Sequence, residues 1–207
     1  MNRRRVLSLV AFGAMGLALS GCGAAGPPPT TYVLGTPAPA ANTAEPLSGR
    51  PVIQVQRVLM PDYLDVSDLL IRRSANVMQP SQTGKWGERL SVGFRRALAD
   101  DLGRDLSGFT VTSQQLTDRP SGQVLVDVDA FEPRPDGQVI LSARWRLTDG
   151  NGARQLAGQN VSLTEQATTT GDAAVVAAMS HVIERLAQQV AASVQRNVPH
   201  AAGSRNR

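Results

Sequence analysis

The stretch Val124-Leu125-Val126-Asp127-Val128-Asp129-Ala130-Phe131, the segment Pro135-Asp136-Gly137-Gln138, and the run Val139-Ile140-Leu141-Ser142-Ala143-Arg144-Trp145-Arg146-Leu147 decide the fold class. Val124, Val126, Val128 and Ala130 alternate with Leu125, Asp127, Asp129 and Phe131. Val139, Leu141, Ala143, Trp145 and Leu147 alternate with Ile140, Ser142, Arg144 and Arg146. Strict alternation is the mark of a strand with one buried face. The intervening Asp-Gly pair is a preferred two-residue type I′ hairpin turn. Centring the turn there predicts Asp127 opposite Arg146, Asp129 opposite Arg144 and Val128 opposite Trp145. Opposite charges then share one side of the sheet and apolar groups the other.

On the C-terminal side, Asp149-Gly150-Asn151-Gly152 predicts a second turn into a third strand carrying Leu156, Gly158, Val161 and Leu163. Beyond it, Val175, Val176, Met179, Val182, Ile183, Leu186, Val190 and Val194 recur at spacings of three and four. This predicts an amphipathic helix from about Asp172 to Gln195, with Thr170 or Asp172 as its cap.

On the N-terminal side, Phe109-Thr110-Val111-Thr112 predicts a short strand. Before it, Trp86, Leu90, Phe94, Leu98, Leu102 and Leu106 recur every fourth residue and so share one helical face. A helix from Trp86 to Leu106 is predicted, stopped by Ser107-Gly108. Val52 to Val58, Leu69 to Arg73 and the weaker Asn76-Val77-Met78 before Pro80 complete the strands. Pro61-Asp62-Tyr63-Leu64-Asp65 makes a turn. The expectation is a single α/β domain: a mixed sheet of about five to seven strands with two long amphipathic helices packed on it.

Upstream, residues 23–51 are rich in Ala, Pro, Gly and Thr, a composition too poor in apolar bulk for a core of its own. Within them Thr31-Tyr32-Val33-Leu34 is a short β-favourable island. The start of the chain, Arg3-Arg4-Arg5, an apolar run from Val6 to Leu19 and Leu19-Ser20-Gly21-Cys22, has the parts of an export signal. It is similar to a bacterial lipobox, in which the cysteine takes diacylglycerol and the signal is cut before it. An ordinary signal peptide with a chance cysteine is one alternative. An uncleaved anchor is another, weakened because the run is shorter than the ~20 residues a bilayer span needs. The organisation expected is a lipoprotein signal peptide at 1–21, a lipid-anchored tether with one short strand at 22–50, the folded domain at 51–197 and a disordered tail at 198–207.

Composition narrows the function. The chain carries 21 basic and 17 acidic residues; without Arg3, Arg4 and Arg5 the balance is 18 to 17, a net charge of +1. The basic patch that nucleic-acid binding calls for is missing from that balance, and no nucleic-acid partner is expected. One cysteine excludes an internal disulfide. With His181 and His200 as the two histidines, a transition-metal site is not expected. Asp62, Asp65 and Asp68 could be read as an oxygen-rich calcium loop, but they lack the glycine bend and closing glutamate, so a solvated turn is the favoured reading. Neither histidine has an evident nucleophile partner, and no phosphate loop or nucleophile elbow is present. No enzyme, no cofactor and no metal are expected. His181 reads as a surface residue, and Trp86 and Trp145 as core.

Cys22, Tyr32-Val33-Leu34, Ile53-Gln54-Val55, Leu59-Met60-Pro61-Asp62-Tyr63-Leu64-Asp65, Arg72-Arg73, Trp86-Gly87-Glu88-Arg89-Leu90, the long strands with Phe131 and Trp145, and the closing helix occur in that order. Together they resemble the ABC-type transport auxiliary lipoproteins, which work with mammalian-cell-entry (MCE) domain proteins in lipid transport. The resemblance implies a non-catalytic periplasmic domain with an α/β fold, tethered through Cys22 to outer-membrane lipid. Such a domain docks the MCE conduit of a phospholipid transport system. Gly23, where an aspartate would favour inner-membrane retention, agrees with outer-membrane delivery. The linker at 35–50 is longer and more proline-rich than the family pattern, which bears on the distance between lipid and domain. A general envelope lipoprotein carrying lipid in its own cavity is the alternative, and a second copy of the chain is a further candidate partner. Asp62, Tyr63 and Leu64 are either a partner contact or a turn anchored into its own core.

Overall fold

In the computed structural model, residues 27–35 and 49–199 are described. The two long strands predicted first form the centre: β6 (Gly122–Pro133) and β7 (Gln138–Asp149) pair antiparallel, and β7 pairs antiparallel with β8 (Gln155–Gln166). On the other side of β6 lie β2 (Val52–Val55) and then β5 (Thr110–Thr112), both parallel, giving the order β5-β2-β6-β7-β8. A second sheet joins β1 (Thr30–Tyr32), β4 (Val77–Trp86) and β3 (Asp68–Ser74) in the order β1-β4-β3. Helix α1 (Leu90–Asp105) packs beside β2 and β5, and helix α2 (Asp172–Asn197) lies against β6, β7 and β8 and against α1. The expected α/β fold with two amphipathic helices on mixed sheets is therefore observed. Its eight described strands divide five and three.

The hairpin forms with a different turn. Gly137 N–H donates to Arg134 O (3.0 Å), Arg134 N–H to Gln138 O (2.7 Å), and Gly137 has φ +82°. No described residue other than glycine has positive φ, so Asp136 cannot take the left-handed angle that type I′ demands. Pro135 instead occupies the position where a type I turn favours proline, and Gly137 closes a three-residue loop. The register moves by one residue at the tip and by a further residue at a bulge between Val128 and Ala130. Val126, not Val128, faces Trp145, and Asp127 faces Arg144. The predicted Asp127–Arg146 pair survives on the diagonal at 3.4 Å, while Arg144 Nε donates to Asn160 Oδ1 (2.9 Å) rather than pairing with Asp129.

The bulge has a packing reason. Val124, Val126 and Val128 face the core, but after Asp129 the phase reverses and Phe131, not Ala130, points inward. Phe131 meets Phe94 of α1 edge-on, with ring centroids 5.3 Å apart and planes at 86°. Such an aromatic pair adds ~0.5–1.5 kcal/mol beyond its buried area. Phe94, Leu98 and Leu102 from α1 and Val182, Ile183, Leu186, Val190 and Val194 from α2 are fully buried against the sheet.

Five further expectations are corrected. Strand β2 ends at Val55, and Leu59 rejoins β6 through a single parallel bridge to Asp127. Val77 and Met78 open a ten-residue strand that continues through Pro80, with Asn76 in the turn before it. Beside Pro80 one side of β4 is open, because β1 covers Gly84 to Trp86, and a missing donor is tolerated on an open edge. Trp86 belongs to β4, not to α1: its N–H donates to Ser67 O (2.8 Å) and it pairs with Tyr32, so sheet bonding claims residues 84–86 and the helix starts at Leu90. Helix α2 begins after Gly171 (φ +114°) with no side-chain cap from Thr170 or Asp172. Val198, assigned to the tail, is buried, and its N–H donates to Val194 O. The expected signal peptide, the acylated Cys22 and most of the expected tether and tail lie outside the described residues.

Candidate functional site

The turn at 61–65 was singled out in the sequence, and the structure builds a polar corner around it. Leu64 N–H donates to Pro61 O (2.9 Å) and Asp65 N–H to Asp62 O (3.2 Å), closing two overlapping turns. Leu64 is 2% exposed and drives into the core beside Trp86, Leu90 and Phe131, whereas Asp62 is exposed and Tyr63 is 42% exposed. The turn is thus anchored by one member of the predicted trio and presents the other two.

Asp65 is no calcium ligand in this arrangement. Its carboxylate accepts from Ser91 N (2.8 Å), Ser91 Oγ (2.9 Å) and the Arg89 guanidinium. It caps the first turn of α1, where Arg89 supplies no side-chain cap, and places negative charge at the positive end of the helix dipole. Burial pushes this carboxyl upward, but the bonds from Ser91 and Arg89 outweigh it, and the net position is below the ordinary carboxylate value. Among the described residues no cluster of three or more potential metal ligands occurs.

Beside the turn, Arg72 makes a two-pronged pair with Glu132 and donates to Ala75 O (2.8 Å) and to the Tyr63 hydroxyl (3.3 Å). Glu132 is 6% exposed and lies on β6, so this pair fastens the three-stranded sheet to the five-stranded one.

A groove of about 340 Å³ opens between the segment after β2 and the first half of α1, lined by Arg57, Leu59, Met60, Asp62, Val92 and Arg95 among others. It shares Arg57 and Arg95 with a neighbouring concavity of about 450 Å³ bordered by Gln54, Gln56 and Gln123. Leu59 and Val92 are 58% and 49% exposed. Arg95 Nε donates to Val55 O (2.9 Å), capping a carbonyl on the side of β2 that β5 leaves open. Burial, and then the adjacent Arg57 charge, lower the Arg95 guanidinium from its ordinary value. Among the described residues neither Arg57 nor Arg95 forms an ion pair. Sequence reading missed this groove. Its one legible sign was Val92, an apolar residue off the α1 stripe.

The other sequence candidates do not assemble into chemistry. His181 is exposed on α2, and Ser180 next to it accepts from Gly35 N (3.1 Å) and donates to Val176 O (2.9 Å). Trp86 and Trp145 are core, as expected. Among the described residues no helix is long and apolar enough to cross a membrane.

The fold is a packed α/β module, and exposed Leu59 and Val92 line its groove beside Arg57 and Arg95. The chain belongs to the family of ABC-type transport auxiliary lipoprotein components, which matches residues 32–191. It is 28% identical over 148 residues to the intermembrane transport lipoprotein PqiC of Escherichia coli (strain K12), covering 72% of this chain and 77% of that one; the Shigella flexneri PqiC matches equally. In fold it is similar to an uncharacterized protein of known crystal structure (TM-score 0.66, 24% identity, 80% of this chain and 98% of that one). It is also similar to a Xanthomonas campestris protein (TM-score 0.59, 16% identity, 81% and 95%). The chain is therefore an auxiliary lipoprotein of an ABC-type transport system.

Proposed function

We propose that this protein is a non-catalytic docking component of an MCE-type ABC phospholipid transport system, held in the outer membrane by acyl chains on Cys22 and facing the periplasm. The observation that carries the reading is the family match over residues 32–191, which begins ten residues after a lipobox-like Leu19-Ser20-Gly21-Cys22. Two or three acyl chains at ~0.8 kcal/mol per buried methylene give durable anchoring.

The position of β1 sharpens the reading. Because Thr30–Tyr32 pair with Gly84–Trp86, the chain re-enters the fold eight residues after Cys22. Those residues reach at most ~28 Å when extended. Residues 36–48 then connect two parts of the fold rather than spacing it from the lipid, so their length does not set the distance to the bilayer.

Docking is favoured over carriage at the cleft that reaches the core between Leu64, Trp86, Phe131 and Met179, which measures about 10 Å³, room for about one water and none for an acyl chain.

The test is mass spectrometry of the mature protein, membrane fractionation, and co-purification of the full-length lipoprotein with an MCE-domain protein from the same cells. Diacylglycerol on Cys22, outer-membrane fractions and a stoichiometric complex are expected. An unmodified thiol, or phospholipid retained without any MCE partner, would refute the proposal.

A further inference from the structure

We infer that the end of the molecule where the β3–β4 and β6–β7 hairpins meet rests on the phospholipid headgroups of the bilayer that holds Cys22, with Arg73 and Arg134 bound to lipid phosphates. This deepens the function proposed above and rests on its lipid anchor.

The argument begins with where the chain enters. Thr31 lies beside Lys85, and Lys85 beside Asp68, so these three residues form one row across the smaller sheet. Strand β1 is parallel to β4 and β4 is antiparallel to β3, which makes β1 antiparallel to β3. The chain arriving at Thr30 therefore comes from the Ser74 end of that sheet, where β3 turns into β4. Pro27, Pro28 and Pro29, all exposed, lead into it. Proline fixes its own backbone and holds the residue before it extended, so this approach is stiff.

Length then limits how far away the lipid can be. From the Asp68 row to Ser74, β3 covers ~20 Å at ~3.3 Å per residue. Thr30 is one residue nearer, which leaves ~17 Å between it and the hairpin end. Set against the ~28 Å reach of the residues between Cys22 and Thr30, at most ~11 Å remains beyond that end. The headgroup layer is itself ~5–8 Å thick. An anchor on Cys22 thus brings the hairpin end to the headgroups.

Charge and shape at this end suit phosphate. A concavity of about 570 Å³ lies between the two hairpins, with Arg72 and Arg73 on one side and Arg134 and Asp136 on the other. Glu132 neutralises Arg72, whereas Arg73 and Arg134 form no ion pair among the described residues. Three arginines against Asp136 and Glu132 leave a balance of +1. Asp136 Oδ1 already accepts from Gln138 N–H (3.0 Å), and Arg73 Nε donates to Gln79 Oε1 (2.8 Å), which leaves its terminal N–H groups for a ligand. From Leu69 to Gly87 the sequence carries no acidic residue, and Val77, 50% exposed, stands at the start of β4 beside the turn. Guanidinium groups donate paired bonds to phosphate oxygens, and an apolar side chain at the same level enters the acyl boundary. A carboxylate would also satisfy the arginines. The tether selects the headgroup, because it holds a continuous layer of phosphate against this end.

The experiment uses the full-length acylated lipoprotein, reconstituted into vesicles of phosphatidylethanolamine with phosphatidylglycerol. Acylation occupies the one cysteine of the chain, so the thiol introduced by Val77→Cys takes a fluorophore uniquely. Asn151→Cys, in the exposed β7–β8 turn and ~36 Å along β7 from the hairpin end, is the control. A lipid with a spin-labelled headgroup quenches the fluorophore. The double variant Arg73→Glu/Arg134→Glu reverses the charge and Arg73→Lys/Arg134→Lys conserves it, with thermal melts to establish folding. Raising the salt, which screens exposed charges, supplies the same test without substitution.

Quenching is expected at Val77→Cys and not at Asn151→Cys. A basic residue near anionic lipid is worth about fivefold in partitioning, so the double reversal should shift the ratio of headgroup-bound to free orientations by about tenfold or more. Quenching at Val77→Cys then falls toward the control level, as it does in high salt, and persists in the double lysine variant. Equal quenching at the two sites, quenching at Asn151→Cys alone, none at either, or quenching at Val77→Cys that survives both charge reversal and salt overturns the inference. Mass spectrometry separates this failure from failure of the anchor: diacylglycerol on Cys22 alongside any of those results leaves the proposed anchoring standing, and an unmodified Cys22 thiol refutes both.

Discussion

The five-stranded sheet and the three-stranded sheet are attached in different ways. The larger is covered by α1 and α2 through fully buried aliphatic and aromatic side chains, among them Phe94, Leu98, Leu186 and Val190. The smaller buries Leu69 and Trp86 in the same core, and around it carboxylates add polar pins. Glu132 binds Arg72 of β3, Asp65 binds Ser91 and Arg89 at the start of α1, and Asp172 of α2 accepts from Ser81 Oγ (2.6 Å) and Thr83 Oγ1 (2.7 Å) of β4. Apolar burial is non-directional and tolerates some repacking, whereas each carboxylate pin depends on one geometry.

The largest effect expected is at the apolar centre. Phe94→Ala removes a fully buried α1 ring from its edge-on contact with Phe131 of β6 and should cost about 3–5 kcal/mol, read as a lowered urea midpoint with one cooperative transition. If near-native stability remained, the helix layer would not be the main anchor of the larger sheet.

Glu132→Ala addresses the other half. It leaves Arg72 with no counter-charge where the two sheets meet, and about 2–3 kcal/mol of destabilisation is expected, discounted from the fully buried case because Arg72 is partly exposed. Hydrogen exchange separates the regions: amides of β3 and β4 should lose protection first, while β6 and β7 keep theirs. Uniform loss across both sheets would show that the two attachments act as one cooperative unit.

This contrast also explains which features were legible in the sequence. The β7 alternation and the α2 spacing each follow from a continuous buried face, and both were read correctly. The β6 phase was read correctly only as far as Val128, because a bulge at Asp129 leaves no periodic trace. Trp86 fits the α1 spacing by coincidence, since an inward strand position and a helix position four residues before Leu90 look alike in one dimension. The pins at Asp65, Glu132 and Asp172 are single residues bonded 26, 60 and 91 positions away, as in Asp65–Ser91, Arg72–Glu132 and Ser81–Asp172, and single residues carry no period. For the same reason Arg57 and Arg95 read as scattered surface charge. The Asp62-Tyr63-Leu64 turn was recognisable, but which of its members face outward depended on Leu64 filling the core.

A smaller effect is expected from Asp65→Ala, which removes the cap on α1 and should cost about 1–2 kcal/mol at neutral pH. The sign with pH follows from the direction of the shift. The carboxyl of Asp65 lies below its unfolded value of 3.8, so its contribution is complete above that value and is lost as pH falls through the lower folded value. The gap between wild type and Asp65→Ala should therefore narrow in acid denaturation. A gap that did not narrow with acid would mean that the side chain acts by packing rather than by charge.

Asp101 behaves in the opposite way and tests whether every buried carboxylate here is a stabilising pin. It lies on α1, 4% exposed, paired with Arg104 of the same helix and facing Glu184 of α2, with Asp100 adjacent. Burial raises its carboxyl from 3.8 to about 6; Arg104 opposes the rise, and Glu184 and Asp100 add to it. A raised folded value means that the native state binds the proton more tightly than the unfolded chain. The contribution of Asp101 to stability is thus fully present below about pH 3.8 and is lost as pH rises through about 6. Asp101→Asn keeps the shape without the charge, so it should match wild type near pH 4 and exceed it above pH 7 by on the order of 1 kcal/mol, after allowing for the lost Arg104 pair. Melting temperatures of the two proteins across pH 4–8, compared pairwise to cancel the opposite trend of Asp65, supply the measurement. A variant less stable than wild type at pH 7.5 would show that the Arg104 pair outweighs burial, and would move Asp101 into the same class as Glu132 and Asp65.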